Sequence, residues 1–180
     1  MKPNRNDLCS CGSGRKYKKC CGAVVASHLE VKQKQARQCG TCTACCDGWV
    51  RITIHGQDVY PGKPCQHSTG HSCRIYENRP DPCRKFICGW FEENSALPEK
   101  FRPDKIGVIF VKATWRGMPI YVLTPAGRDP DGEVLEWMKN FSFEARQPFL
   151  YQSGGEWYAF GPREFQQEIL QKVAKGEKLW

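Results

Sequence analysis

Ile106-Gly107-Val108-Ile109-Phe110-Val111 and Pro119-Ile120-Tyr121-Val122-Leu123 are apolar, β-branched runs separated by the turn-prone Trp115-Arg116-Gly117, and their reading decides the fold class. Two such runs around a short turn predict a hairpin. Working outward, Gly132 to Phe141 carries Val134, Leu135, Met138 and Phe141 at helical spacing, with Asp129 or Asp131 to cap it. A second hairpin is expected where Pro148 to Tyr151 meets Glu156 to Phe160 across Gln152-Ser153-Gly154-Gly155. Pro162 then opens a last helix with Phe165, Ile169, Leu170 and Val173 on its apolar side. Together these elements predict an α+β layer, a small antiparallel sheet packed with helices.

Upstream the composition changes. All 12 cysteines lie at or before Cys88, and residues 89 to 180 have none. No stretch of eighteen apolar residues occurs, and Met1-Lys2-Pro3-Asn4-Arg5-Asn6-Asp7 lacks the apolar run of a secretory signal. The expectation is a cytoplasmic protein with no membrane segment. In that reducing compartment close-set cysteines serve as ligands more often than as disulfides, and a disulfide scaffold would spread its cysteines more widely.

Three blocks follow. Residues 1 to 22 are dense in Cys, Gly, Lys and Arg and too poor in apolar side chains to form a core, so they predict a small metal-stabilised knob. Residues 23 to 38 contain Val24, His28 and Val31 at helical spacing and predict a linker helix. Residues 39 to 180 predict a cysteine-rich module, its ligands between 39 and 88, continuous with the α+β layer. Within that module Trp49 to Ile54 alternates as a short strand does.

The formal charge of +8 is uneven, because residues 1 to 37 hold nine Lys or Arg against Asp7 and Glu30. Ligating cysteines are thiolates, so three divalent ions with four each would lower the total to about +2. A nucleic-acid reading from overall charge is therefore weak, whereas the basic character of the N-terminal arm survives one ion.

Cys9-x-Cys11, eight residues, then Cys20-Cys21 supplies four thiolates, enough for a closed tetrahedral site. Gly12-Ser13-Gly14 permits a tight reversal, and Arg15-Lys16-Tyr17-Lys18-Lys19 can form the helical turn that returns Cys20 and Cys21. An all-cysteine sphere favours structural Zn(II) over a hard cation. The stretch Pro3 to Gly22, with Leu8-Cys9-Ser10-Cys11-Gly12-Ser13-Gly14-Arg15-Lys16-Tyr17-Lys18-Lys19-Cys20-Cys21, closely resembles the SEC-C motif. That family binds zinc and is best known at the C-terminus of the preprotein translocase ATPase, where it engages an acidic chaperone surface and the ribosome. The resemblance implies zinc on Cys9, Cys11, Cys20 and Cys21; it departs at Leu8 and Ser10, where prolines are usual. The basic arm around the knob suits an acidic protein surface or ribosomal RNA phosphates.

The second cluster comprises Cys39, Cys42, Cys45, Cys46, Cys65, Cys73, Cys83 and Cys88. Eight thiolates exceed one ion and admit two zinc sites, an iron-sulfur cluster plus a zinc, or one site with spare thiols. Arg79-Pro80 and Asp81-Pro82 impose extended or turn geometry just before Cys83. Arg74, Arg79 and Arg84 are candidate donors to thiolate sulfur, with an ion pair to Glu77 or Asp81 the alternative for Arg79. With eight thiolates available no histidine is expected as a ligand; of the three, His71, two residues before Cys73, is better placed than His55 and His67. The Cys run, then Cys73-Arg74-Ile75-Tyr76 with Arg79-Pro80, then Cys83-Arg84-Lys85-Phe86, resembles the YkgJ-type cysteine-cluster family over roughly residues 39 to 91. That resemblance implies zinc or iron chelation and names no reaction.

No Ser/His/Asp order, phosphate-cradling glycine loop or dinucleotide fingerprint occurs, so catalytic residues are not assigned. The expected function is a metal-binding adaptor. An iron-sulfur or metal-dependent enzyme or electron carrier, or a metallochaperone, is the alternative.

Overall fold

The computed structural model describes residues 4, 6–8, 15–19, 37–177 and 179. The chain divides into two compact units, Met1–Ala36 and Arg37–Trp180. In the first, Leu8 pairs with Lys16 across an antiparallel bridge, and the Tyr17 amide donates to the Asp7 carbonyl at 2.7 Å. A 3-10 turn, Tyr17–Lys19, follows. The expected linker helix lies outside the described residues except for Arg37 and Gln38, which are in no helix or strand.

The second unit has α+β architecture. Strands β1 (Ile52–Ile54) and β2 (Gln57–Val59) form a small hairpin. Helices α1 (Asp81–Lys85) and α2 (Pro103–Ile106) are short. Then come β3 (Val108–Trp115), β4 (Met118–Pro125), α3 (Gly132–Ala145), β5 (Phe149–Ser153), β6 (Glu156–Phe160) and α4 (Arg163–Ala174).

Both sequence hairpins form. β3 and β4 run antiparallel from Val108↔Pro125 to Trp115↔Met118, and β5 and β6 from Phe149↔Phe160 to Ser153↔Glu156. The sheet is nevertheless mixed rather than antiparallel, in the order β3-β4-β5-β6, because β4 pairs β5 in parallel at Tyr121↔Phe149 to Leu123↔Tyr151. Helix α3 joins those two strands as a crossover, and a crossover is what lets neighbouring strands point the same way.

Alternation along the strands gives the sheet two apolar faces. Tyr121 and Leu123 pack with Phe101, Phe110, Phe149 and, from α3, Val134 and Met138. Ile120 and Val122 pack on the opposite face with Trp115, Leu150 and, from α4, Phe165 and Ile169. Asp131 caps α3 by accepting from the Val134 amide at 2.9 Å, while Asp129 instead accepts from the Gly154 amide at 2.7 Å. Leu170 and Val173 do not join the buried side of α4, being 60% and 38% exposed. Each residue rotates about 100° around a helix, so Leu170 turns away once Ile169 is buried.

The region before β3 is different. Around β1 and β2 a small cluster contains Ile54, Val59 and Cys65, with Cys46, Ile52 and Cys83 against it. The expected strand from Trp49 to Ile54 shortens to Ile52–Ile54, and its unforeseen partner is the polar Gln57-Asp58-Val59. Arg37 fastens the edge of the unit: its guanidinium donates to the carbonyls of Trp90 and Leu97, pairs with Glu99 at 3.1 Å and lies over the Trp90 ring.

Candidate metal centre

Of the predicted ligands, Cys9, Cys11, Cys20 and Cys21 lie outside the described residues. The basic side chains between them are described in part: Arg15, Lys16, Lys18 and Lys19 are all exposed. The other eight, Cys39, Cys42, Cys45, Cys46, Cys65, Cys73, Cys83 and Cys88, are free thiols and all line one cavity of about 300 Å³.

The local chain explains how they arrive there. The Cys42 amide donates to the Cys39 carbonyl at 2.9 Å, and the Asp47 amide to the Thr43 carbonyl at 2.8 Å, so residues 39 to 47 wind through tight turns. Residues three apart in such turns share a face, which sets Cys42 and Cys45 together. The Cys65 amide donates to the Cys46 carbonyl at 2.8 Å, and Ser68 bridges Cys73, so one loop delivers both Cys65 and Cys73. Cys83 rides on α1, which opens with Pro80 in extended conformation as its cap. Cys88 is buried in the main core, where the Gly89 amide donates to the Phe110 carbonyl of β3 at 2.7 Å.

Burial dominates the electrostatics. Desolvation first, then the charge of Cys88, Cys42, Cys46 and Cys39, drives the Cys45 thiol far above its ordinary range. Desolvation, then Cys73, Cys65 and Cys83, pushes Cys46 up to about 12. Cys42, Cys83 and Cys88 are also raised, again chiefly by burial. Crowded, desolvated thiols resist ionisation until a cation neutralises them, and a bound divalent ion inverts that balance.

Local donors offset part of that desolvation. Backbone N–H groups of Ala44 and Asp104 act on Cys42, those of Phe91 and Trp90 on Cys88, and each favours the thiolate. The His67 amide donates to Cys65 Sγ at 3.4 Å. The Arg79 guanidinium carbon lies 3.9 Å from the centre of the Tyr76 ring, and both side chains line the cavity. Arg79 Nε is buried with no hydrogen-bond partner, although Arg79 lines the cavity. A donor orphaned beside eight thiols fits an anionic sulfur centre. Among the described residues no group of three or more His, Cys, Asp or Glu side chains meets the geometry of a formed metal site. The fit therefore rests on donor chemistry, the shared cavity and the orphaned Arg79 donor.

Several assignments change. Among the described ion pairs Asp81 meets Lys85, while Arg79 stacks on Tyr76, so the alternative of an ion pair from Arg79 to Glu77 or Asp81 does not form. His67, rather than His71, lines the cavity, and His55 meets the His67 ring edge-on. Arg84 lines it too and donates from Nε to the Arg79 carbonyl at 2.5 Å, steadying the turn before Cys83. Phe86 and Phe91 form apolar walls, whereas Trp90 sinks into the core with its indole N–H on the Pro98 carbonyl at 3.1 Å. Sequence spacing gave no signal for Asp104, which reaches Cys42 only through α2.

The SEC-C motif family matches residues 5–23 of this chain. Over 22 residues the chain is 86% identical to protein translocase subunit SecA of Nitratidesulfovibrio vulgaris, covering 12% of this chain and 3% of that protein. It is 78% identical over 24 residues to SecA of Caldicellulosiruptor saccharolyticus, covering 13% and 3%. Over 38 residues it is 55% identical to the uncharacterized protein YccF of Bacillus subtilis, covering 21% and 11%. The likeness is thus a short motif that spans a small fraction of the relatives' length. No solved structure matches the chain. No helix among the described residues is long and apolar enough to cross a membrane.

Proposed function

We propose that this protein is a zinc-binding adaptor: an N-terminal SEC-C knob docks to an acidic partner, and a YkgJ-type cysteine cluster holds zinc as a structural centre. The observation that carries the reading is the convergence of all eight cysteines between 39 and 88 on one cavity. Burial disfavours the free thiolate there, and backbone amides together with Arg79 Nε supply the donors that a bound thiolate uses. Zinc, when bound, contributes a charge that four thiolates saturate, leaving no open position for substrate. The SEC-C match at residues 5–23 supports zinc on Cys9, Cys11, Cys20 and Cys21. The exposed Lys16, Lys18 and Lys19 support docking to an acidic protein surface.

Elemental analysis and an absorption spectrum of anaerobically purified full-length chain test the metal. Colourless protein containing zinc is expected; a visible-absorbing iron centre would overturn the zinc assignment in favour of an electron carrier or iron-sulfur enzyme. Docking is tested with Lys16→Glu, Lys18→Glu and Lys19→Glu combined, using immobilised polyglutamate and purified ribosomes as probes. Salt-sensitive retention on polyglutamate, lost in the variant at unchanged zinc content, is expected. Retention unchanged by the substitutions, or binding to ribosomes alone, would sink the acidic-protein reading.

A further inference from the structure

Spacing along the chain suggests a sequential division of the second cluster, with the run Cys39, Cys42, Cys45 and Cys46 as one ligand set and Cys65, Cys73, Cys83 and Cys88 as the other. The fold brings them together differently. We propose two interleaved four-thiolate sites, Cys39, Cys42, Cys45 and Cys88 for one divalent ion and Cys46, Cys65, Cys73 and Cys83 for a second. The proposal rests on the reading of this region as a metal centre and assigns its ligands.

Packing separates the two sets. Cys46, Cys65 and Cys83 share the small cluster around β1 and β2, with Ile52, Ile54 and Val59. Cys73 joins them through its bridge to Ser68, whose amide donates to the Cys65 carbonyl at 2.9 Å. Cys88 belongs instead to the main core beside Phe110 and Tyr121. The turn from Cys39 to Cys42 reaches the same neighbourhood, because Arg37, two residues before Cys39, donates to the carbonyl of Trp90, two residues after Cys88, and lies over its ring.

Backbone pairing repeats this division. The Cys42 amide donates to the Cys39 carbonyl at 2.9 Å and the Gly48 amide to the Cys45 carbonyl at 3.3 Å, which keeps those three cysteines on one run of tight turns. The Cys65 amide donates to the Cys46 carbonyl at 2.8 Å, which ties Cys46 to the loop that carries Cys65 and Cys73. Consecutive residues in a tight turn point apart, so the Cys45-Cys46 pair splits, one thiol to each site.

Arg79 stands where the sets meet. It stacks on Tyr76, its carbonyl accepts from Arg84 Nε at 2.5 Å beside Cys83, and it lines the cavity together with all eight thiols. A closed site of one divalent ion and four thiolates carries a net charge of −2. Two such sites lining one cavity repel each other, and a guanidinium with a free Nε–H between them offsets that repulsion.

The test uses full-length protein loaded with cadmium-113, so that cysteine β-proton couplings to the metal assign ligands without substitution. Wild type is expected to show Cys88 coupled to the same cadmium as Cys39, Cys42 and Cys45. A cadmium shared by Cys45 and Cys46, with Cys88 on another, would overturn the interleaving. Paired variants give an independent count: Cys45→Ser with Cys88→Ser should lose one ion, and Cys45→Ser with Cys46→Ser should lose two. The reverse pattern would restore the sequential division. Amide protection of β3 to β6 identifies any variant whose losses come from global unfolding, and the wild-type couplings then decide. Cadmium confined to Cys9, Cys11, Cys20 and Cys21 would defeat the reading of residues 39–88 as a metal centre, an outcome distinct from a different pairing of bound ligands.

Discussion

Within the second unit, the stretch from β3 to β6 buries Val108, Ile109, Phe110, Val122, Leu123, Phe149 and Leu150 completely. The stretch from Cys39 to Cys88 buries only Ala44, Ile54, Val59, Cys65 and Cys88 among its apolar side chains, and none falls below 4% exposure. At about 25 cal/mol per Å² of apolar surface removed from water, the sheet region has ample driving force of its own. The cysteine region has little, and its strands are three residues each. Two chemistries therefore stabilise one unit: apolar burial in the later half, and, on the proposed reading, thiolate coordination in the earlier one. They meet at Cys88, which sits in the sheet's core and lines the cavity.

The largest effect should come from removing metal. Structural zinc contributes about 10 kcal/mol or more per ion in small domains. Chelator and reductant applied to the full-length protein should abolish amide-exchange protection between 39 and 91, while β3 to β6 and α3 keep theirs. Equal protection of residues 39–91 before and after complete metal loss would mean that packing alone holds the region. Loss of protection throughout would mean that the two halves fold as one.

How much could be read in the sequence follows the same divide. The hairpins, α3 with its Asp131 cap and α4 were legible because alternating apolar runs, Gly-containing turns and helical spacing are local signals. The parallel pairing of β4 with β5 was not, since it depends on how α3 crosses the sheet. β2 escaped notice because Gln57 and Asp58 are polar, and its only buried residue is Val59. In the site, residue type announced the eight cysteines, but their grouping is a property of three dimensions. Arg37 gave no signal at all, since its partners are backbone carbonyls 53 and 60 residues away. The SEC-C match was legible because a complete ligand motif fits within one short segment.

The junction itself can be loosened without touching a sulfur. A β-carbon on Gly89 would lie 2.7 Å from Tyr121 Cε1 and 3.2 Å from Phe110 Cβ, both in the packed core. Gly89→Ala should push Cys88 off β3, straining the hydrogen bonds from the Gly89 amide to Phe110 and from Ser95 Oγ to the Gly89 carbonyl. Overpacking of this kind costs about 1–3 kcal/mol. A lower urea midpoint together with faster metal release to a chelator is expected. Gly132→Ala is the control, because nothing lies within 4 Å of its added carbon. If Gly89→Ala lowered stability but left metal release at the wild-type rate, Cys88 would not couple the two halves.

The smallest effect tests whether acid sensitivity also has separate sources. On the proposed reading, protons compete with metal for thiolates in the cysteine half, so stability there falls as pH falls, by ion loss. In the sheet half, Glu168 accepts a hydrogen bond from the Trp115 indole at 2.9 Å and pairs with Arg116 at 3.2 Å and Lys172 at 3.6 Å. The Trp115 bond, then these cations, hold its carboxyl below the usual 4.5. A depressed carboxylate binds protons more readily when unfolded, so its contribution is present above the unfolded value and vanishes as pH falls through the folded one. Glu168→Gln should therefore be less stable than wild type at neutral pH, with the two converging in acid. The metal contribution is common to both proteins and cancels in the difference, so denaturant melts from pH 7 to pH 3 isolate this carboxylate. A stability gap that stayed constant across that range would show that Glu168 acts through packing rather than charge, and the acid response of the unit would then belong to the cysteine half alone.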